Sequence, residues 1–564
     1  MSAVASPIDR NRLEATLARS EVRVGAVVLM GYALVSFAFF ALPVLLRSGD
    51  RYAGGGPDQR LFIWSLAWWP HAILHGLNPF YTDAMWAPVG FNLTWTTTVP
   101  GLALLFAPLT LLIGPIQSYN VAAVLIPALD AWCAYVLLRY LTRKLWPSVI
   151  GGYLFGFSTY VLYEESLGHV NLDAVFVLPL TSLVVLKFLD GRLEARGLVV
   201  RLAPLLAFQL LTSTEIAFTL TLALLAALAL AFAFAKERRK RLRRLLAPLG
   251  CSYLFAALLT APFLYYLLTG FERTGFWGRP QSADVANFLL PPDFSLIGGS
   301  WPLALHGFHA LDAEEVFFGL PALIIAIWAL WRVRNGFLVA SFAVVLLAEL
   351  GPRVNVYGHS ILPAPWYLLR HAPVFDNVLP SRLAVYLALL FAVAVALWLA
   401  RSTPSPATTI LTVVAVMVVL PDPVWANWAV GYSIPRFFTS SAYRSCLDPG
   451  ETILPLPTSY YTPVLWQAVS GFRFKLAAGP AAANIPTSYQ QPAAIGYITD
   501  GGHLGPEQTG FVRTYVADKH VTSIVVSEDQ AGFFRPALDQ LAKPFDAGGV
   551  LVYHLSPTAP ACVP

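Results

Sequence analysis

The stretch Glu215–Arg244, EIAFTLTLALLAALALAFAFAKERRKRLRR, decides the fold class. Its first 21 residues carry no charge after Glu215. That run matches the roughly 20 apolar residues a helix needs to cross about 30 Å of hydrocarbon. The nine residues from Lys236 to Arg244 then hold seven Lys and Arg. Short basic loops stay on the cytoplasmic side of a membrane, so one segment supplies both a span and its orientation.

Similar apolar runs recur from Val24 to Leu420, and only 12% of the 564 residues are charged against 57% hydrophobic. Soluble domains carry about 25% charged residues, which excludes a water-exposed globule of this size. The first run, Val24–Leu46, is too long for a cleavable leader. The net charge of +5 is small, and nothing in its placement points to nucleic acid.

The basic residues are unevenly distributed. Arg10, Arg12, Arg19 and Arg23, with the loops Arg139–Lys144, Lys187–Arg201, Lys236–Arg244, Arg332–Arg334 and Arg401, hold 21 of the 37. The alternate connections 47–116, 164–171, 212–215, 269–315 and 351–382 hold eight. Val99–Ile116 is apolar enough to cross, but it contains Pro100, Pro108 and Pro115, and a crossing there would invert every later basic loop. It is expected to be re-entrant or interfacial. About eleven spans follow, near 24–46, 118–141, 147–163, 172–189, 199–212, 215–235, 245–268, 316–333, 337–350, 383–400 and 407–421. The expected organisation is a cytoplasmic tail 1–23, an all-α polytopic membrane domain 24–421 with large outer loops 47–116, 269–315 and 351–382, and an extracytoplasmic domain 422–564.

In that last domain apolar runs shorten and Gly, Pro, Ser and Thr increase. Glu451–Leu456, Val521–Ser527 and Gly549–Leu555 read as buried strands, with Gln508–Lys519 and Phe534–Leu541 as helices between them. This predicts a small α/β domain. It has no Gly-rich phosphate loop. Asn484–Gln491 and Asp500–His503 are polar loops, either solvated or available to an acceptor. Of the four cysteines, Cys133 and Cys251 lie in apolar runs. Cys446 and Cys562 lie in the C-terminal domain, where an oxidising compartment would let them close it as a disulfide. No Cys or His spacing indicates a metal, and a divalent cation beside the carboxylates is neither demanded nor supported.

The outer loops carry the chemistry. In the first, Trp64, Trp68 and Trp69 recur near helical spacing, so Arg60–Leu77 reads as a helix at the headgroup level. Gly54–Gly56 and Pro57 let the chain turn out of the first span, and Asp58 then stands at the helix start. Asp58 is either a reactive carboxylate or an N-cap stabilised by free amides. The next outer turn, Glu164-Glu165-Ser166-Leu167-Gly168-His169-Val170-Asn171-Leu172-Asp173, places three carboxylates and a histidine at the mouth of two spans. Ionisable groups at that depth are costly and usually functional. Glu215 opens another span on the same side. Cationic candidates are Arg273 and Arg279 around Phe276-Trp277, then Arg370 and His371, and Arg382. Such arginines either fork onto phosphate or snorkel to headgroups.

This layout resembles the GT-C superfamily of polytopic glycosyltransferases that use lipid-linked sugar donors. The resemblance rests on an acidic residue after the first span, Asp58, ahead of a Trp-rich helix, and on the acidic-His turn Glu164–Asp173. The Pro- and aromatic-rich segment Arg353–Arg382 before a late span, and the extracytoplasmic end domain, complete it. The sequence is more similar to bacterial members than to the protein O-mannosyltransferase or aminoarabinose-transferase branches. It lacks the WWDYG motif of the oligosaccharyltransferase catalytic subunit. The resemblance implies transfer of a sugar from a polyprenyl-phosphate donor to an extracytoplasmic glycan, lipid or protein acceptor at a bacterial inner (plasma) membrane, with no cofactor required. It implies Asp58 as catalytic base, with Asp50 a weaker match. Phosphate is already a good leaving group, so the chemistry needs a base for the acceptor hydroxyl and cations for the phosphate; a lone carboxylate base implies inversion. On this reading Glu165 and Asp173 are secondary acids that orient the acceptor. Arg370, Arg382 and His169 contact phosphate, and Glu164 and Glu215 are further candidates. A lipid or solute transporter is the competing class, but the halves show no internal repeat of the kind transporters usually carry.

Overall fold

The computed structural model describes residues 7–269, 282–299, 313–369, 372, 375, 378–458, 462–479, 486–489, 504–556 and 562. Seven helices among them are long and apolar enough to cross a membrane: Ser20–Leu46, Pro115–Thr142, Val170–Leu189, Ala195–Thr212, Thr214–Phe234, Lys236–Leu259 and Pro380–Arg401. The chain is a multi-pass membrane protein of mainly helical fold.

The remaining expected spans take other forms. The run at 147–163 breaks into Leu145–Gly156 and Thr159–Leu167, because Ser158 turns its hydroxyl to the Val161 amide as an N-cap. The runs at 316–333, 337–350 and 407–421 become Gly319–Val333, Gly336–Glu349 and Pro406–Val418, of 15, 14 and 13 residues. Each is shorter than the roughly 20 residues of a full crossing. Pro100–Ile113 is a helix of 14 residues, about 21 Å long. It packs against Gln59–Leu74 and Ala195–Thr212.

The helix ends separate into two faces. At one, Asp190 accepts from Tyr140 at 2.7 Å and pairs with Arg238 at 3.0 Å. Arg241 donates to the Leu189 carbonyl at 2.7 Å, Lys144 to Ala400 at 2.6 Å and Arg401 to Val333 at 3.2 Å. The basic loops, scattered over 260 residues of sequence, thus meet one another through the carbonyls that helix C-termini leave free.

At the other face lies a five-stranded mixed sheet. Its order is Phe545–Ala547, Val550–His554, Ser523–Ser527, Thr452–Leu456, Lys475–Leu476. Ser523–Ser527 runs antiparallel to Val550–His554, and Thr452–Leu456 runs parallel to both its neighbours. The helices Thr462–Val469, Thr509–Asp518 and Ala531–Leu538 accompany it. Cys446 and Cys562, 116 residues apart, are joined, with Cα atoms 4.4 Å apart. The polar loop 500–503 and half of 484–491 (residues 484, 485, 490 and 491) lie outside the described residues.

This sheet domain is clamped to the segment that follows the first span. Arg51–Ala53 pairs antiparallel with Ala429–Gly431, and Tyr52 stacks on Tyr432 at 5.3 Å. The helix expected at the headgroup level, observed as Gln59–Leu74, is instead roofed by protein. Trp64 donates to Gln467 at 2.8 Å, and Trp64 and Trp68 pack edge-on to Phe472. Both tryptophans are buried, as is Trp69. An amphipathic ring suits a wet interface or a protein–protein seam equally well, and here a segment 400 residues downstream occupies its apolar face.

Candidate active site

Two loops cross backbone to backbone to build the site. Gly55 N–H donates to Ser166 O at 2.7 Å and Gly56 N–H to Leu167 O at 3.2 Å. A Cβ on Gly54 would meet Gly168 Cα at 2.5 Å, and one on Gly56 would meet the Leu167 carbonyl oxygen at 2.5 Å. Gly168 itself caps the Thr159–Leu167 helix at φ 72°, a conformation that favours glycine. The glycine run therefore permits close approach as well as a turn, and this contact carries Asp58 to His169.

Asp58 directly precedes the Gln59–Leu74 helix, but its side chain makes no capping bond. Its carboxylate instead faces His169, Nε2 to Oδ2 at 3.4 Å. The other ring nitrogen, Nδ1, lies 2.7 Å from Glu164 Oε2. Glu164 in turn stands 3.7 Å from Arg382 Nε, and Arg382 forms a close ion pair with Glu215. Glu215 also accepts from the Leu379 amide at 3.3 Å. Five groups from four regions of the chain alternate in charge: Asp58, His169, Glu164, Arg382, Glu215. Asp58 is the most open, at 39% side-chain exposure, and Glu164 is buried at 1%.

Burial opposes charging His169, but hydrogen bonds and charges from Asp58 and Glu164 more than reverse this and hold its pKa up at about 9. His169 is therefore an imidazolium at neutral pH. Because its folded pKa exceeds the ordinary 6.5, its stabilising contribution is complete below pH 6.5 and is lost as pH rises through about 9. A His169→Gln variant should lack that alkaline loss, measured as melting temperature against pH from 6 to 10. The same slope in wild type and variant would show that another group titrates.

Four of these residues, Asp58, His169, Glu215 and Arg382, line a cleft of about 310 Å³. Its further walls are the Thr94–Pro100 segment and an apolar side formed by Leu210, Leu211, Phe263 and Leu267. Thr94, Thr96–Thr98, Asn171 and Thr212 carry no ionisable group, so the charge pattern that marks Asp58, His169 and Glu215 in the sequence does not mark them. Val99 within that segment has φ 36° and ψ 51°, costly for a β-branched residue, and lies against the cleft.

Other expected site residues fall elsewhere. Glu165 and Asp173 are 1% and 0% exposed and do not line the cleft, so no contact with an acceptor is assigned to them. Neighbours on a helix point about 100° apart, which sends Glu164 to His169 and Glu165 inward. Burial pushes the Glu165 carboxyl up to about 8, partly offset by Asp173. Asp50 is exposed on the loop before Arg51–Ala53 and outside the cleft. Arg370, with Arg273, Arg279 and His371, lies outside the described residues. Among the described residues no three His, Cys, Asp or Glu side chains converge as metal ligands.

Solved structures share this architecture. The archaeal oligosaccharyltransferase AglB from Archaeoglobus fulgidus, in complex with an inhibitory peptide and a dolichol-phosphate, superposes with a TM-score of 0.52 at 14% identity, over 94% of this chain and 74% of that one. The arabinofuranosyltransferase AftD from Mycobacteria superposes with a TM-score of 0.59 at 14% identity, over 95% of this chain and 40% of that one. The fold is GT-C-like, that of a class of polytopic membrane proteins. By sequence, no curated protein matches the chain significantly. Residues 28–422 match the family described as domain of unknown function DUF6311, and the chain belongs to that family.

Proposed function

We propose that this protein is a membrane glycosyltransferase that moves a sugar from a polyprenyl-phosphate donor to an acceptor hydroxyl, with inversion and with Asp58 as base. The observation that carries this reading is the Asp58 carboxylate. It is released from helix capping, oriented by His169, and set in a cleft with one polar and one apolar wall. Such a cleft suits a phosphosugar whose lipid tail remains in the bilayer. The GT-C-like fold, and the dolichol-phosphate bound by AglB, support the same donor class.

In the proposed step the acceptor oxygen attacks the anomeric carbon from the face opposite the phosphate. The carbon–oxygen bond to phosphate breaks, its electron pair leaves with the polyprenyl phosphate, and the acceptor proton passes to Asp58. The cations lining the cleft, His169 and Arg382, meet the phosphate charge. Glu164 and Glu215 position them. We further place the cleft and the sheet domain of residues 422–564 on the extracytoplasmic side of an inner membrane, because the opposite face gathers the basic loops.

The test uses purified full-length protein in lipid nanodiscs with a panel of polyprenyl-phosphate sugars and simple glycan acceptors. At least one donor should yield an inverted glycoside and free polyprenyl phosphate. Donor hydrolysis or transfer with retained configuration would contradict the mechanism, and no turnover across the panel would count against the activity.

A further inference from the structure

We propose that the face opposite the cleft carries a binding site for an anionic glycerophospholipid. Where the Gly319–Val333 and Pro380–Arg401 helices end and the Pro406–Val418 helix begins, the protein forms a second, half-open cavity, of about 550 Å³. Arg332 and Arg401 line it with the hydroxyl residues Ser402, Thr403, Ser405 and Thr408, and no carboxylate among the described residues contributes to its wall. The Arg332 guanidinium is laid over two rings, 4.9 Å from Trp328 and 5.2 Å from Trp331, which fixes its plane. Arg401 donates to the Val333 carbonyl at 3.2 Å. A guanidinium has five donors in a planar fork, suited to phosphate oxygens.

An apolar groove continues from this cavity. Ile324, Ile327, Trp328 and Trp331 line about 300 Å³ along the same helix, and Trp328 belongs to both spaces. Positions 324, 327, 328 and 331 share one helix face. That face points out of the bundle, with Ile324 53% and Ile327 68% exposed. A cationic, hydroxyl-lined pocket at a helix end, tryptophans at the rim and an apolar groove running back toward mid-membrane match a phosphate headgroup above its acyl chain. The groove favours a lipid over free phosphate. The site is also distinct from the cleft. Arg401 and Arg382 lie at opposite ends of Pro380–Arg401, a helix about 33 Å long, so the two sites face different leaflets.

The experiment is native mass spectrometry of the purified chain in micelles doped with phosphatidylglycerol or phosphatidylcholine. Two arginines beside an anionic headgroup should favour phosphatidylglycerol by roughly tenfold or more. The Arg332→Gln/Arg401→Gln variant should bind both lipids equally, while melting as wild type does in phosphatidylcholine nanodiscs. Should it melt lower, Arg332→Gln alone carries the test, with an expected loss of about fivefold. Ile327→Ser should weaken phosphatidylglycerol retention. No preference in the wild type, or a preference that survives the arginine substitutions, overturns the proposal. So does displacement of the lipid by millimolar inorganic phosphate, which would mark a site for a free anion.

Discussion

Asp58→Asn is expected to leave the protein folded, able to bind donor, and slower in transfer by roughly 10²–10⁴-fold, the usual contribution of a positioned general base. The structure sharpens this expectation. The Asp58 side chain makes no capping bond to the helix it precedes, so asparagine forfeits no cap. Its amide oxygen still accepts from His169 Nε2, now 3.4 Å from the carboxylate. What asparagine cannot do is take the acceptor's proton. Turnover, donor binding and melting temperature measured together separate the roles. A near-wild-type rate would remove Asp58 as base. A lowered melting temperature with a proportionate loss of donor binding would make it structural.

Arg382→Met is expected to be the most destabilising single change at the site. The arginine lies between Glu164, at 1% side-chain exposure, and Glu215, at 18%. Removing one partner of a buried pair typically costs about 3–5 kcal/mol, because the remaining charge is left uncompensated. The double variant Arg382→Met/Glu215→Met should recover part of that loss. It removes one stranded carboxylate, while Glu164 keeps His169 at 2.7 Å. Melting curves of the wild type and both variants decide the matter. A double variant no more stable than the single one would show that Glu215 is satisfied without Arg382. An unchanged single variant would show that the chain of charges does not hold the cleft together.

The membrane class was legible because its signals are local. Apolar run length, as in Thr214–Phe234, and the basic cluster that follows it lie within 31 residues of sequence. The three central strands of the terminal sheet were legible for the same reason, since Thr452–Leu456, Ser523–Ser527 and Val550–His554 are short apolar segments; the edge strands Lys475–Leu476 and Phe545–Ala547 were not. Signals that depend on a partner read less well. The break at Ser158 separates two helices inside one apolar run. The tryptophans of Gln59–Leu74 have the spacing of a headgroup layer, but Phe472 and Gln467 cover them. The glycines at 54–56 suggested a turn, but their tightest constraint is the approach of the Ser166–Gly168 backbone.

Composition and periodicity alone determined that this chain crosses a bilayer several times and that its basic loops alternate with connections poor in basic residues and bearing acids. Those properties follow from solvent transfer and charge, which act residue by residue. Only the tertiary structure decided that Glu164 and not Glu165 reaches His169, that Asp58 faces an imidazolium in place of its own helix amides, and that Glu215 pairs with Arg382 across 167 residues. Those choices depend on which side chains a packed bundle brings within hydrogen-bonding distance. At a buried site an unpartnered charge is too costly to leave, so the partner, set by packing and not by sequence neighbourhood, determines what each carboxylate can do.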